Sequence, residues 1–251
     1  PQRYDGLQKN LPEALRFLEA TSWIDGSLGW TLTLASGAGL FGAFMIPEFA
    51  QSVFSQKNIF IAGSGFPGGK AEKTNSGFHV NGSWKYASGI DHATLITASC
   101  HLTKDGVIMH EDSNPITKAV ALYPDEIEIT DKWNSMGLKA TGSHDFEVEG
   151  VKIPQKRTFT ISSDSVQVEG LLYRYPFEAF AHCTLAISML GMAKRFFDEA
   201  KQILLSKNDV SDLEVLPKEL RGKFKNSHLN FKRAKESVYN NVEQSWKELQ
   251  K

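Results

Sequence analysis

The residues best suited to chemistry lie in Gly77–Gly89, which reads Gly-Phe-His-Val-Asn-Gly-Ser-Trp-Lys-Tyr-Ala-Ser-Gly. Trp84, Tyr86 and Ser88 recur at every second position. Side chains alternate along a strand, so these three are expected on one face. Two aromatics and a hydroxyl, ending at Gly89, make a platform for a flat polar ring system. The same pattern also describes a half-buried hairpin with aromatic cross-strand pairs, and the stretch alone leaves both readings open. Asn81-Gly82 predicts a two-residue type I′ turn, because that turn needs positive φ at both central residues. Such a turn sets Val80 against Ser83 and His79 against Trp84, which adds His79 to the aromatic face.

Other candidates carry less. His92, in Ser-Gly-Ile-Asp-His, is of the type that serves as a general base near neutral pH. A lone His after a strand is more often simply hydrogen-bonded, and the adjacent Asp91 points to the opposite face of a strand. Neither His144 nor His182 has a carboxylate pattern beside it, and helical geometry turns His182 and Cys183 apart. Gly63-Ser64-Gly65-Phe66-Pro67-Gly68-Gly69 reads as a glycine-rich loop. It lacks the Gly-x-Gly-x-x-Gly spacing of a dinucleotide turn and the Gly-Lys-Ser/Thr ending of a P-loop. There is no C-x-x-C pair, no H-E-x-x-H and no carboxylate cluster with metal spacing, so no metal is expected.

Two blocks carry a family resemblance. The stretch Trp84-Lys85-Tyr86-Ala87-Ser88-Gly89-Ile90-Asp91-His92 resembles the strand that meets the flavin in the acyl-CoA dehydrogenase superfamily. Its wording is closest to the branch of two-component flavin-dependent monooxygenases. Met136-Gly137-Leu138-Lys139-Ala140-Thr141-Gly142-Ser143 runs on into Val148–Pro154. It is similar to the family's Gly-Leu-Arg-Gly-Thr-Gly-Ser segment, strand and Val-Pro. The resemblance implies a flavin cofactor, FAD or FMN. It places Ser88 at the flavin N5, Tyr86 over the ring with Trp84 on the same face, Gly89 at a close backbone approach, and Ser64 at the pyrimidine edge.

It also implies a small-molecule substrate, a flavin reductase as partner, and a dimer or tetramer. Two activities fit: a monooxygenase using reduced flavin and oxygen, and α,β-dehydrogenation of an acyl thioester. A non-catalytic oligomeric or binding member of the fold is the third reading. Against the family pattern, helices are expected before Pro1 and after Lys251, the latter carrying the catalytic base. At about the place of a second-helix His the chain has Ser36-Gly37. Glu199-Ala200-Lys201-Gln202-Ile203-Leu204 stands where the dehydrogenases keep an Arg for the FAD diphosphate.

The elements that must position these residues follow from texture. Pro12 and Pro47 suit the first turns of helices, and Leu11, Leu15 and Leu18 give the first of these one apolar face. Leu28–Ile46 reads as a buried helix capped by Asp25 or Ser27. From Ile59 to Pro154 short β-forming runs alternate with turns, and Glu149-Gly150 predicts a bulge. Tyr175–Leu205 and Leu216–Lys251 are predicted as long helices. Phe224, Phe231, Val238 and Trp246 form the apolar stripe of the second, a surface that other helices must cover. Helices, then strands, then helices argue an α+β fold. In family terms this is N-terminal helices over residues 1–58, a central antiparallel, barrel-like β-domain over 59–156, and part of a helical bundle over 157–251.

The 251 residues suffice for a substantial core. A net charge of −1 without a basic stripe argues against nucleic acid. Leu28–Ile46 carries Thr31, Thr33, Ser36 and four glycines, which argues against a membrane span. Cys100 and Cys183 sit in apolar segments and no leader is visible, which points to packing roles in a reduced cytoplasmic compartment.

Overall fold

The computed structural model describes residues 1–130 and 132–251. The helices are α1 (Leu11–Ile24), α2 (Gly26–Ala38), α3 (Pro47–Phe54), α4 (Phe177–Lys207) and α5 (Lys218–Leu249). The strands are β1 (Ile61–Lys73), β2 (Gly77–Ala87), β3 (Leu95–Lys104), β4 (Val107–Ile108), β5 (His110–Glu111), β6 (Asn114–Pro115), β7 (Thr117–Leu122), β8 (Glu128–Thr130), β9 (His144–Pro154) and β10 (Thr158–Phe159). The order helices, strands, helices is the expected α+β arrangement. The chain divides into two compact units. One holds Pro1–Gln8 and Leu34–Phe177, and the other Lys9–Thr33 and Glu178–Lys251.

The first unit is built on one sheet with strand order β10-β7-β3-β1-β2-β9-β8, β4 pairing with β3, and β5 and β6 forming a separate ribbon. The sheet is mixed where a purely antiparallel one was expected, because β1 pairs with β3 in parallel. The chain makes a β1–β2 hairpin and then brings β3 back to the far side of β1, which fixes that direction.

Two turn expectations need correction. Asn81-Gly82 is no hairpin turn; it lies inside β2, paired with Lys70 and Gly69 of β1. The two-residue positive-φ turn falls at Asp112-Ser113, φ 47° and 68°, between β5 and β6. Gly63–Gly69 is no loop either; it is part of β1, with register shifts against β3 between Ser64 and Gly69. Pro67 has no N–H to give a ladder, and such a shift is where a central strand tolerates it.

The glycines serve the Trp84 indole. A Cβ on Gly82 would lie 2.4 Å from Gly69 Cα and 2.6 Å from Trp84 Cη2, and one on Gly69 would lie 2.3 Å from Trp84 Cζ2. The ring therefore rests on bare backbone. It stacks on Phe146 of β9, centroids 5.2 Å apart, and its Nε1–H donates to Ser99 O of β3 at 2.8 Å. Around it, Val80, Ile96, Cys100, Val120 and Leu122 complete the core. The bulge expected near Glu149-Gly150 is present: Gly150 has φ 65°, and the β2–β9 register shifts between Val80 and Gly82. Asn81 Oδ1 accepts the Gly150 N–H at 2.7 Å, which is the task that side chain performs instead of starting a turn.

In the second unit, Asn10 caps α1 by accepting from Glu13 N at 2.9 Å, and Leu11, Leu15 and Leu18 are buried as their spacing predicts. Asp25 caps α2 through Leu28 N at 2.8 Å. Leu28 is exposed, and the predicted run to Ile46 breaks at Ala38 into a 3-10 turn over Gly39–Ala43. α1 meets α4 at Gly191, where a Cβ would sit 2.4 Å from Glu19 O, and at Ser22–Ser188, 3.1 Å. It meets α5 through the buried Glu19, which takes Lys235 Nζ at 2.5 Å and Tyr239 OH at 2.7 Å. Burial, then the Glu19 carboxylate, pushes the Tyr239 phenol above its usual range. Phe197 of α4 packs among Phe224, His228 and Phe231 of α5. Among the described residues no helix is long and apolar enough to cross a membrane.

Two stability outcomes follow. Gly82→Ala presses a methyl against backbone that cannot rotate away, so unfolding free energy should fall by about 1–3 kcal/mol. Denaturant titration reads the loss, and an unchanged midpoint refutes the close approach. Burial pushes the Cys100 thiol up to about 12 from 9.0. A raised folded pKa gives stability that is complete below the unfolded value and lost as pH rises through the folded one. Unfolding free energy should thus decline between pH 9 and 12, by up to about 4 kcal/mol. The Cys100→Ala variant, compared over the same range, should lack that share of the decline.

Candidate functional site

The site forms where β2 ends. Between Trp84 and Ala87 the β2–β9 register slips by one residue, since Trp84 pairs with Phe146 and Ala87 with His144. Tyr86 absorbs the slip in the left-handed region, φ 62°. This overturns the expected shared face: Trp84 points into the core at 1% exposure, and Tyr86 points out at 65%. His79 is also apart, its Nε2 2.7 Å from Gly150 O. A bulge re-aims side chains in this way, and strict alternation could not foresee it.

Beyond the bulge, the two sequence blocks come together. Ser88 is buried, with its Oγ 2.7 Å from Ser143 Oγ. Ser143 Oγ is 2.6 Å from Thr141 Oγ1, which donates to Leu138 O at 2.8 Å. Gly89, at φ 76°, donates its N–H to Thr141 O at 2.7 Å. Lys139–Thr141 is a 3-10 turn flanked by left-handed residues, Leu138 at φ 53° and Gly142 at φ 49°. Trp133 adds its ring, edge-on to Tyr86 at 6.2 Å, and its Nε1–H donates to Leu138 O at 3.0 Å. Tyr86 and Trp133 thus set an aromatic corner beside a buried chain of hydroxyls.

His92 lies in the 3-10 turn Ile90–His92, exposed, with its ring edge-on to Phe60 at 6.4 Å. The acid–histidine pair that sequence did not find joins Asp91 to His144, Oδ2 to Nε2 at 3.3 Å. Trp133 N–H donates to His144 Nδ1 at 3.4 Å. Some fifty positions of chain separate the two, and only the fold makes them neighbours. The pair ties the turn after Ser88 to the start of β9. Ser64 lies in β1, half-buried and paired with Ala98. The β1–β2 pairing begins at Gly69–Gly82, past Ser64, so its placement against Ser88 rests on neither ladder.

The corner fits a flat heteroaromatic group: a buried hydroxyl, an exposed Tyr86 ring beside Trp133, and a glycine whose backbone a ring can approach. A cavity of about 490 Å³ lies in the helical unit between α4 and α5, lined by Phe197, His228, Phe231 and Lys232 among others. It contains neither sequence block.

No family model matches the chain. By sequence, it is 29% identical over 199 residues to the indole-3-acetate monooxygenase of Pseudomonas putida, a match covering 79% of this chain and 49% of that protein. It is 28% identical over 205 residues to the flavin-dependent monooxygenase oxygenase subunit HsaA of Mycobacterium tuberculosis, covering 77% and 50%. The chain thus spans about half the length of the curated relatives it matches. By structure, the HsaA monooxygenase superposes with TM-score 0.87 at 22% identity, over 99% of this chain and 65% of the other. XiaF from Streptomyces sp., in complex with FADH2 and glycerol, gives 0.85 at 17%, over 99% and 64%. The chain therefore has the acyl-CoA dehydrogenase-like fold of these structures, and its sequence relatives include a flavin-dependent monooxygenase oxygenase subunit.

Proposed function

We propose that this chain is part of the oxygenase component of a two-component flavin-dependent monooxygenase, which takes reduced flavin from a partner reductase and hydroxylates a small aromatic or heteroaromatic substrate. The observation that carries the reading is the convergence of the two flavin-type blocks on Ser88, beside the outward ring of Tyr86. The two sequence relatives named above, both monooxygenases by name, favour this over acyl-thioester dehydrogenation.

When bound, the reduced flavin supplies the two electrons that let one atom of dioxygen enter the substrate while the other leaves as water. The residues of this chain bind and orient. Ser88 would meet the ring edge at N5, Tyr86 and Trp133 would lie against one side, and Gly89 would give the backbone room. Asp91 and His144 hold the turn that carries Ser88. The enclosed Trp84 supports the strand from beneath and offers no ring face to a ligand, and Ser64 at the pyrimidine edge remains part of the proposal.

If Ser88 holds the flavin, Ser88→Ala in the full-length protein should weaken flavin binding by about 0.5–1.5 kcal/mol, two- to tenfold, with folding preserved. Equilibrium titration with reduced flavin under nitrogen reads this directly. Unchanged affinity together with unchanged turnover removes Ser88 from the site.

A dimer or tetramer is part of the same reading. Phe17, Ile24, Met189, Phe196 and Leu229 are large apolar residues exposed on the helical unit. Sedimentation of the full-length protein at micromolar concentration should give a closed oligomer, and a stable monomer refutes it.

A further inference from the structure

We infer that Asp145 is a positioning residue: its carboxylate holds the Tyr86 backbone in the left-handed bulge that aims the ring outward, and so sets the aromatic corner against which a flat ligand stacks. The inference rests on the reading that the flavin lies against Tyr86.

Between the pairs Trp84–Phe146 and Ala87–His144, β2 has Lys85 and Tyr86 where β9 has Asp145. Two residues thus oppose one, and the extra residue loses its regular place in the ladder. The Tyr86 N–H donates instead to Asp145 Oδ1, at 3.3 Å. A side chain supplies the acceptor that the ladder does not. The Asp145 carbonyl is engaged on the other side, where it takes the Thr130 hydroxyl of β8 at 3.2 Å. Tyr86 O takes the Ser88 N–H at 3.0 Å. Both backbone polar groups of the displaced residue are therefore satisfied, as a folded backbone requires.

The hold is needed because the conformation is unfavourable. Tyr86 has φ 62°, a region that a bulky side chain adopts only against steric cost, since its Cβ crowds the following carbonyl. Glycine would sit there freely but would bring no ring. Backbone conformation also decides where the ring goes. In a regular strand residue 86 would share the inward face of Trp84. In the bulge it stands 65% exposed and edge-on to Trp133 at 6.2 Å.

Asp145 is one of three successive residues that grip the end of β2. Ser143 meets Ser88 at 2.7 Å and His144 meets Asp91 at 3.3 Å. Those two act on the turn beyond the bulge, and Asp145 acts on the bulge itself.

The test is a double-mutant cycle on flavin affinity, read by titrating the full-length protein with reduced FMN or FAD under nitrogen. Asp145→Ala removes the acceptor and should raise the dissociation constant about three- to tenfold. Asp145→Asn keeps an acceptor oxygen in the same place and should stay near the parent value. In a Tyr86→Ala background the ring to be aimed is gone, so adding Asp145→Ala should change the constant by less than about twofold. A loss of the same factor in both backgrounds marks a merely structural role and overturns the inference. So does an Asp145→Ala affinity equal to that of the parent, or an Asp145→Asn loss as large as that of Asp145→Ala. Should Asp145→Ala fail to fold, hydrogen exchange of the parent decides: the Tyr86 amide should exchange far more slowly than a free peptide amide, and exchange at the free rate overturns the inference. Tyr86→Ala alone separates the two levels. If it leaves flavin affinity unchanged, the placement of flavin against Tyr86 has failed; if it weakens binding while Asp145→Ala acts independently of it, the positioning argument alone has failed.

Discussion

The sheet depends on finding room for one indole. Trp84 occupies the layer where β1 and β2 come closest, and Gly69 and Gly82 leave it bare backbone to rest on. From there it reaches β9 by stacking on Phe146 and β3 by its N–H bond to Ser99 O. Four strands are thus registered by one side chain. A buried Trp contributes most when its N–H is also satisfied, as it is here. With Trp84 paired to and stacked on Phe146, the second slip of β2 against β9 falls just after it, at Lys85-Tyr86, and the Ser88 turn follows from there.

This explains what the sequence disclosed and what it hid. The long helices and the cap at Asp25 are written in local periodicity and side-chain chemistry, and they stand where that pattern puts them. Asn81-Gly82 and Gly63–Gly69 misled because glycine has two uses. It permits positive φ, and it permits close approach; the local sequence cannot say which is exploited. Here the second use prevails, since the partner filling the space, Trp84, belongs to the sheet as folded. The site divides in the same way. Ser88, Gly89 and the Thr141–Ser143 segment were legible through motif resemblance. The Asp91–His144 contact and the Trp133 ring were not, because no local spacing links residues so far apart in the chain.

The helical unit is organised by a different kind of contact. Glu19 is buried between α1 and α5 with both oxygens engaged, one by Lys235 and one by Tyr239. Burying a carboxylate costs several kcal/mol unless partners replace its water, so these side chains specify which turn of α5 faces α1. Gly191 sets the corresponding approach of α4. Apolar periodicity identifies the faces of such helices but leaves their axial register free, and it is these polar and small residues that remove the freedom.

The slip at Tyr86 also bears on how such a strand can change over evolutionary time. In a regular strand, residues two apart share an environment, and replacing one alters the packing of the other. Here the left-handed backbone at Tyr86 gives Trp84 to the interior and Tyr86 to the solvent. The outward ring can be exchanged for a larger, smaller or more polar one without reopening the space beneath the indole. One bulge thus separates the packed part of the strand from the part that faces outward, so a change at the second leaves the scaffold as it is.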